Sequence, residues 1–371
     1  MNRTFFSRAA VPGLAALALG LALSGCGAAN EAQGAGNDSK LASSQQLSGT
    51  LKGAGSSAQE AAMDAWRADF QKATPSVTVN YDPAGSGAGV EQFTAGATDF
   101  AASDKALDAA AGEIAAAKKR CGADALEVPD YISPIAIIFH VPGTRKLNLD
   151  GSTVAKIFAG TITRWDDPAI VAQNKGVKLP STRITPVHRS DESGTTNNFT
   201  DYLHRVGGRA WRWEAAETWP VKSGEGANGT SGVVAAVKTG NGTIGYADAS
   251  QASGLATVAV KVGASYVGPT AAAAGKALAA SPLEKGRPAG NLAVQVDRAT
   301  TAAGAYPVML TSYLIACPSY PKGKAEAVKG LLGYIVSAPG QRAAAAHAGS
   351  APLPASLQPR AAQIVGSISA K

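Results

Sequence analysis

The chain has 371 residues, 45% of them hydrophobic and 16% charged, with 42 glycines and an aromatic share of 6%. That is enough apolar material for two aliphatic-cored domains, and it excludes wholesale disorder and a collagen-like repeat. Its 34 basic and 27 acidic side chains give +7, or +5 (32 against 27) without Arg3 and Arg8 of the first 25 residues. Spread this thinly, the excess excludes a nucleic-acid-binding surface and is compatible with small anions.

Met1–Arg8 holds two arginines and no acid, and an apolar run from Ala9 follows, ending in Leu23-Ser24-Gly25-Cys26. A basic start, a short apolar stretch and small residues at the cut read as a secretory signal over residues 1–25. The run is too short to span a bilayer, which needs roughly 20 apolar residues. Leu-Ser-Gly-Cys resembles the bacterial lipoprotein box, which implies acylation of Cys26 and a lipid-anchored protein on the outer face of the cell membrane. Residues 26–48 are small, polar and aperiodic, a flexible tether, and no later segment is long and apolar enough to cross a membrane. Cys121 and Cys317 remain; export permits a disulfide between them, and the sequence leaves both a bridge and two buried thiols open.

From Gly49 onward, helical and strand patterns alternate. Ala58–Thr74 carries Ala62, Trp66 and Phe70 at helical spacing, Val77–Tyr81 reads as a strand, Val90–Ala97 as a short helix and Phe100–Ala102 as a buried strand. Ala106–Arg120 is alanine-rich and helical. Tyr131–Val141 is a long apolar strand region that Pro134 is expected to break. Asp150 or Ser152 can cap a helix to Phe158. Thr182–His188 (strand) and Thr195–Val206 (helix) follow, then the helix Gly232–Thr239 and the strands Gly242–Tyr246 and Ala256–Val262. Thr270–Ala280 is helical, Ala305–Ala316 a strand region, and helices at Ala325–Val336 and Pro359–Ile368 close the chain. The alternation predicts α/β layers, and the five tryptophans read as packing residues.

Three loops share one design, in which a strand ends and small or hydroxyl residues lead into a helix: Gly53–Ala58, Gly85–Gly89 and Arg189–Thr196. Helix N-termini offer unpaired N–H groups and partial positive charge, so each loop can hold an oxyanion. Hydroxyls add neutral donors, and Arg189 adds a forked cation. Ordinary α/β turns and helix caps use the same residues, so the loops alone do not name an anion. Asp104 and Asp191 are the informative oddities: an aspartate repels a fully ionised ligand but accepts a hydrogen bond from one still carrying a proton, such as hydrogen phosphate. Helix capping is their other reading.

The segments Gly53–Ser57, Tyr81–Val90, Thr98–Asp104, Lys156–Ile170, His188–Phe199 and Gly242–Ala247 together resemble the phosphate-binding protein of bacterial phosphate ABC importers in its lipoprotein form. The resemblance implies two α/β lobes joined by two hinge strands, the type 2 periplasmic-binding-protein fold, closing over ligand. It places Gly49–Ser133 with Val308–Lys371 in lobe one and Pro134–Pro307 in lobe two. It also implies phosphate contacts from Ser56, Ser57 and Ala58, from Ser86, from Asp104 as acceptor of the ligand proton, and from Arg189 tied by Asp191. Ser193, Gly194 and Thr195 are the implied donors at the start of the next helix. Ala58 stands where many relatives have phenylalanine, and Glu192 replaces a common glycine. The implied partners are inorganic phosphate, the permease subunits with their cytoplasmic ATPase, and the membrane; the chain is expected to be a monomer without cofactor or metal.

Other readings remain open on residues alone. Another tetrahedral oxyanion, sulfate or a phosphonate, suits the same fold, as does a surface sensing lipoprotein. An enzyme is disfavoured: no Gly-x-Ser-x-Gly elbow is present, and His140, His204 and His347 lack metal-ligand spacing. Gly268–Lys276 departs from the nucleotide-binding loop in its spacing and in Ala277.

Overall fold

The structure is a computed structural model and describes residues 47–371; the expected signal, Cys26 and most of the tether lie outside the described residues. The chain opens with β1 (Gly49–Gly55), α1 (Glu60–Ala73), β2 (Val77–Asp82), α2 (Ser86–Thr94), β3 (Phe100–Ser103) and α3 (Glu113–Cys121). Next come β4 (Leu126–His140), β5 (Lys146–Leu149), α4 (Gly151–Phe158), α5 (Pro168–Val171), β6 (Thr185–Arg189) and α6 (Gly194–Val206). β7 (Glu225–Ala227), α7 (Gly229–Thr239), β8 (Thr243–Asp248), β9 (Ala256–Val262), β10 (Ser265–Val267) and α8 (Ala271–Ala279) complete the middle of the chain. The last part comprises β11 (Met309–Ala316), β12 (Ser319–Tyr320), α9 (Lys324–Val336), α10 (Ala338–Ala348), α11 (Gln358–Gly366) and β13 (Ser369–Ala370).

The main sheet runs β2-β1-β3-β11-β4-β8-β6-β7, with β9 also pairing β4 and carrying β5 and β10. β1 lies parallel to β2 and β3, and β11 runs antiparallel to β3 and β4. β4 serves two wings: Leu126–Pro134 pairs with β11, and Ile135–His140 pairs with β8. All of β4 up to Phe139 is buried, which fits the continuous apolar run Ile135–Phe139; Glu127, Asp130 and Ser133 of its first half are buried as well.

Pro134 does not break this strand. It sits at the changeover between partners, where Ile135 N–H bonds to Val308 O (2.8 Å) and Pro134 O accepts from Ala249 N–H (3.1 Å), so no rung needs the donor proline lacks. The helix expected over Ala106–Arg120 begins only at Glu113. Asp108 Oδ1 takes the N–H groups of Ala110 (2.6 Å) and Ala111 (3.2 Å), a side-chain turn that competes with helix. α10 was not anticipated between the two closing helices. Ser337 caps it by accepting from Gly340 N–H (3.2 Å), and Pro339 falls in its first turn, where proline is tolerated. α10 packs on α1, where Trp66 Nε1 donates to Gly340 O (2.7 Å).

Cys121, at the end of α3, is disulfide-bonded to Cys317, just past β11.

Candidate anion site

The anion-loop residues stand at the carboxyl ends of β1, β2, β3, β6 and β7, where open α/β sheets expose helix N-termini and hold ligands. β1 leads into Ser56, Ser57 and Ala58, all buried. Ser56 Oγ accepts from Ala58 N–H (3.0 Å), so that N–H is occupied within its own loop, and Tyr81 donates its hydroxyl to Ser56 O (2.8 Å). Ser86 opens α2, and its hydroxyl accepts from Asp104 N–H (3.1 Å). Asp104 follows β3 directly and is 2% exposed.

The second wing supplies the rest. Arg189 ends β6 and is 3% exposed. Its Nε donates to Asp191 Oδ1 (2.7 Å), its Nη2 to Asp191 Oδ2, and its Nη1 reaches Thr230 Oγ1 (3.4 Å). This forked pair fixes the guanidinium plane. Burial works to raise the Asp191 pKa, but the hydrogen bonds and charge of Arg189, with the Gly229 N–H, more than reverse it and hold the carboxyl below its ordinary value. Ser193 caps α6 by accepting from Thr196 N–H (3.2 Å). Gly194 and Thr195 are the first residues of that helix, so their N–H groups have no intrahelical acceptor and remain for a ligand.

The two wings meet here. Thr195 Oγ1 donates to Asp104 Oδ2 (2.9 Å), and Ser312 Oγ of β11 donates to Asp104 Oδ1 (2.6 Å). A Cβ on Gly194 would come within 2.6 Å of Ser86 Oγ, so only glycine lets α6 approach this closely. Ser57 Oγ accepts from Thr230 N–H and hydrogen-bonds to Thr230 Oγ1, both at 3.1 Å. Lys105, beside Asp104, binds Glu113 (2.7 Å) and reaches Glu217 of the second wing (3.4 Å). Burial outweighs that lysine and pushes the Glu217 carboxyl up to about 7.

Burial also raises the Asp104 pKa, against the pull of its Ser312 and Thr195 hydrogen bonds and the Arg189 charge. Each Asp104 oxygen accepts one hydroxyl and keeps a further lone pair, so the carboxylate remains an acceptor, and a more basic one than in water. The arrangement thus brings a clamped cation, several neutral donors and a buried acceptor into one region. It is suited to a small anion that still carries a proton.

All ten residues singled out from the sequence fall in this one connected region. The sequence reading missed Thr230, Gly229, Ser312, Asn198 and Gln251. Thr230 is the second residue of α7, in a fourth strand-to-helix junction of the same kind, Gly226–Ser231, whose small residues across the end of β7 and the start of α7 were a readable signal. Gln251 Nε2 donates to Ser57 O (2.7 Å) from a turn that carries no such signature. Glu192 is exposed and lies against Gly87. His188 and Ser193, close in sequence, do not form a nucleophile–base pair: His188 stacks on Trp219 (5.1 Å between ring centres) with Nδ1 against Arg189 O (2.9 Å), while Ser193 Oγ serves the helix cap.

Comparison with known proteins extends this. The PBP superfamily domain matches residues 41–339. The chain is 39% identical over 374 residues to a Mycobacterium bovis protein named phosphate-binding protein PstS2, covering 98% of this chain and 99% of that one. It is 39% identical over 336 residues to phosphate-binding protein PstS 3 of Mycobacterium leprae, covering 85% and 87%. Among solved structures, the phosphate-bound periplasmic phosphate-binding protein PfluDING superposes with a TM-score of 0.69 at 21% identity, over 84% of this chain and 92% of that one. The phosphate binding protein of Stenotrophomonas maltophilia gives 0.66 at 19% identity, over 85% and 94%. These structures share the fold, a two-lobed type 2 binding-protein arrangement.

Proposed function

This chain belongs to the phosphate-binding proteins of the PBP superfamily, and on that premise we propose how it takes up its ligand. It is the substrate-binding component of a phosphate ABC importer, acts outside the cytoplasm, and is not an enzyme. Phosphate lies between the two wings, held by Arg189 and by the N–H groups that open α2 and α6, with Ser56, Ser57, Ser86, Ser193, Gly194 and Thr195 around it and Ala58 behind the first loop. Asp104 accepts the proton that hydrogen phosphate retains at neutral pH. Sulfate has no such proton, so its oxygen would face the Asp104 lone pair unpaired, the kind of mismatch that gives strong discrimination. The observation that carries this reading is the buried Asp104 acceptor under the charge of a clamped cation, Arg189.

The lobe division at residues 133/134 and 307/308 belongs to this proposal; the passage of β4 between partners at Pro134 supports it. The acylated Cys26 anchor, the tether, the monomeric state and delivery to the permease are parts of the same proposal. Ligand contacts drawn from both wings make closure favourable chiefly when phosphate is present.

Calorimetric titration of the purified protein, unfolded and refolded to strip carried-over ligand, tests it with phosphate and then sulfate at neutral pH. One-to-one phosphate binding without sulfate binding is expected. Tight sulfate binding would move the protein to a neighbouring oxyanion, and binding of neither would end the transport reading.

A further inference from the structure

Arg298 is a second buried arginine, 4% exposed, and it lies outside the ligand-contact set above. It stands on the segment between α8 and β11, and all three of its nitrogens are engaged. Nε donates to Asp201 Oδ2 (2.9 Å), Nη1 to Pro307 O (2.9 Å) and Met309 O (2.7 Å), and Nη2 to Asn198 Oδ1. Because the guanidinium has donors only, its bond identifies the Asn198 oxygen and fixes the amide's orientation. The Asn198 NH2 must then point the other way. It donates to Asp104 O (2.5 Å) and to Gly194 O (2.8 Å).

Those two acceptors are the main-chain carbonyls of the acceptor residue of one wing and of the first donor residue of the other. We propose that Asn198, held by Arg298, is a positioning residue for anion binding: one amide sets the spacing between Asp104 and the start of α6. This rests on the phosphate reading of the site. The geometry has a direct consequence for selectivity. Asp104 discriminates by the placement of one lone pair, and a main chain free to shift by part of an ångström loses that placement while Arg189 still attracts any anion. A ratio of affinities, and not affinity alone, therefore reports the role. A purely structural Asn198 would lower stability and leave the ratio where it was.

Asn198 and Arg298 both border a cavity of about 560 Å³ that also reaches Asp104 and Asp201, so altered side chains have room there. The test is calorimetry of the purified protein with inorganic phosphate and inorganic sulfate, on the unaltered chain, Asn198→Leu, Arg298→Lys and Asp104→Asn. Loss of three buried hydrogen bonds, two of them to the site's main chain, predicts at least about tenfold weaker phosphate binding in Asn198→Leu, with the phosphate-to-sulfate ratio narrowed by about the same factor. Arg298→Lys keeps a cation for Asp201 but loses the fork that orients the amide; it should shift the ratio in the same direction by less, and it decides the question if Asn198→Leu does not fold. An unchanged ratio in the folded variants overturns the inference, provided Asp104→Asn narrows it. If Asp104→Asn leaves the ratio unchanged, or the unaltered chain binds no phosphate, the reading of the site itself fails.

Discussion

Asp104 keeps two hydroxyl partners and is almost wholly buried, so an amide in its place changes charge and donor pattern with little change in volume. Asp104→Asn is expected to weaken phosphate at least tenfold, the order of one charge-assisted hydrogen bond, and to strengthen sulfate; paired titrations with the two anions read both. Asp248 is a second buried acid with a different consequence. Its Oδ1 accepts from Tyr131 (3.0 Å), Ser250 N–H (2.9 Å) and Ser250 Oγ (2.5 Å), whereas Oδ2 has no partner among the described residues. Burial pushes its pKa up to about 6 from the ordinary 3.8. The fold therefore favours the protonated acid: stability is full below pH ~4, falls as pH rises, and the whole penalty is present above pH ~6. That penalty is roughly 3 kcal/mol. Asp248→Asn keeps the Oδ1 acceptor and cannot ionise, so urea unfolding should show it more stable than the unaltered chain at pH 8 by up to that amount, and nearly equal at pH 4.

α2 shows how one glycine seats a whole helix. A Cβ on Gly89 would stand 2.4 Å from Gly55 Cα and 2.7 Å from Ala54 O, both backbone atoms of β1 that cannot rotate away. Gly89→Ala is expected to destabilise by about 1–3 kcal/mol and to weaken phosphate binding too, because Ser86 lies in the same first turn of α2; thermal melts and calorimetry on the same sample separate the two losses. Periodicity located most such elements because their buried faces are regular, as with Met63, Trp66 and Phe70 on α1. It failed where a local side chain competes with the helix, at Asp108, and where a cap disguises itself as a breaker, at Ser337-Ala338-Pro339-Gly340. The site divides the same way. Loops with glycine, hydroxyls and an Arg-x-Asp segment are readable because their chemistry is local. Ser312 meets Asp104 across 208 residues and Asn198 meets it across 94, contacts that only the folded sheet creates.

At the scale of the molecule, the Cys121–Cys317 bridge joins positions 196 residues apart. Cross-linking a loop that long restricts the unfolded chain, and such bridges contribute about 2–5 kcal/mol. β11 runs antiparallel to β3 and places Ala316 opposite Phe100, so Cys317 lies at the end of the sheet away from Asp104. Replacing both cysteines by alanine should lower the melting temperature and leave phosphate affinity unchanged, as melts and titrations on the double variant would show. The bridged loop also encloses every strand from β4 to β11. An exported protein meets foreign hydrolases, and a single cut anywhere in the second wing would leave two fragments still covalently joined. Nicked molecules should migrate as one chain without reductant and separate into two pieces with it, so one cut does not by itself part the two halves of the molecule.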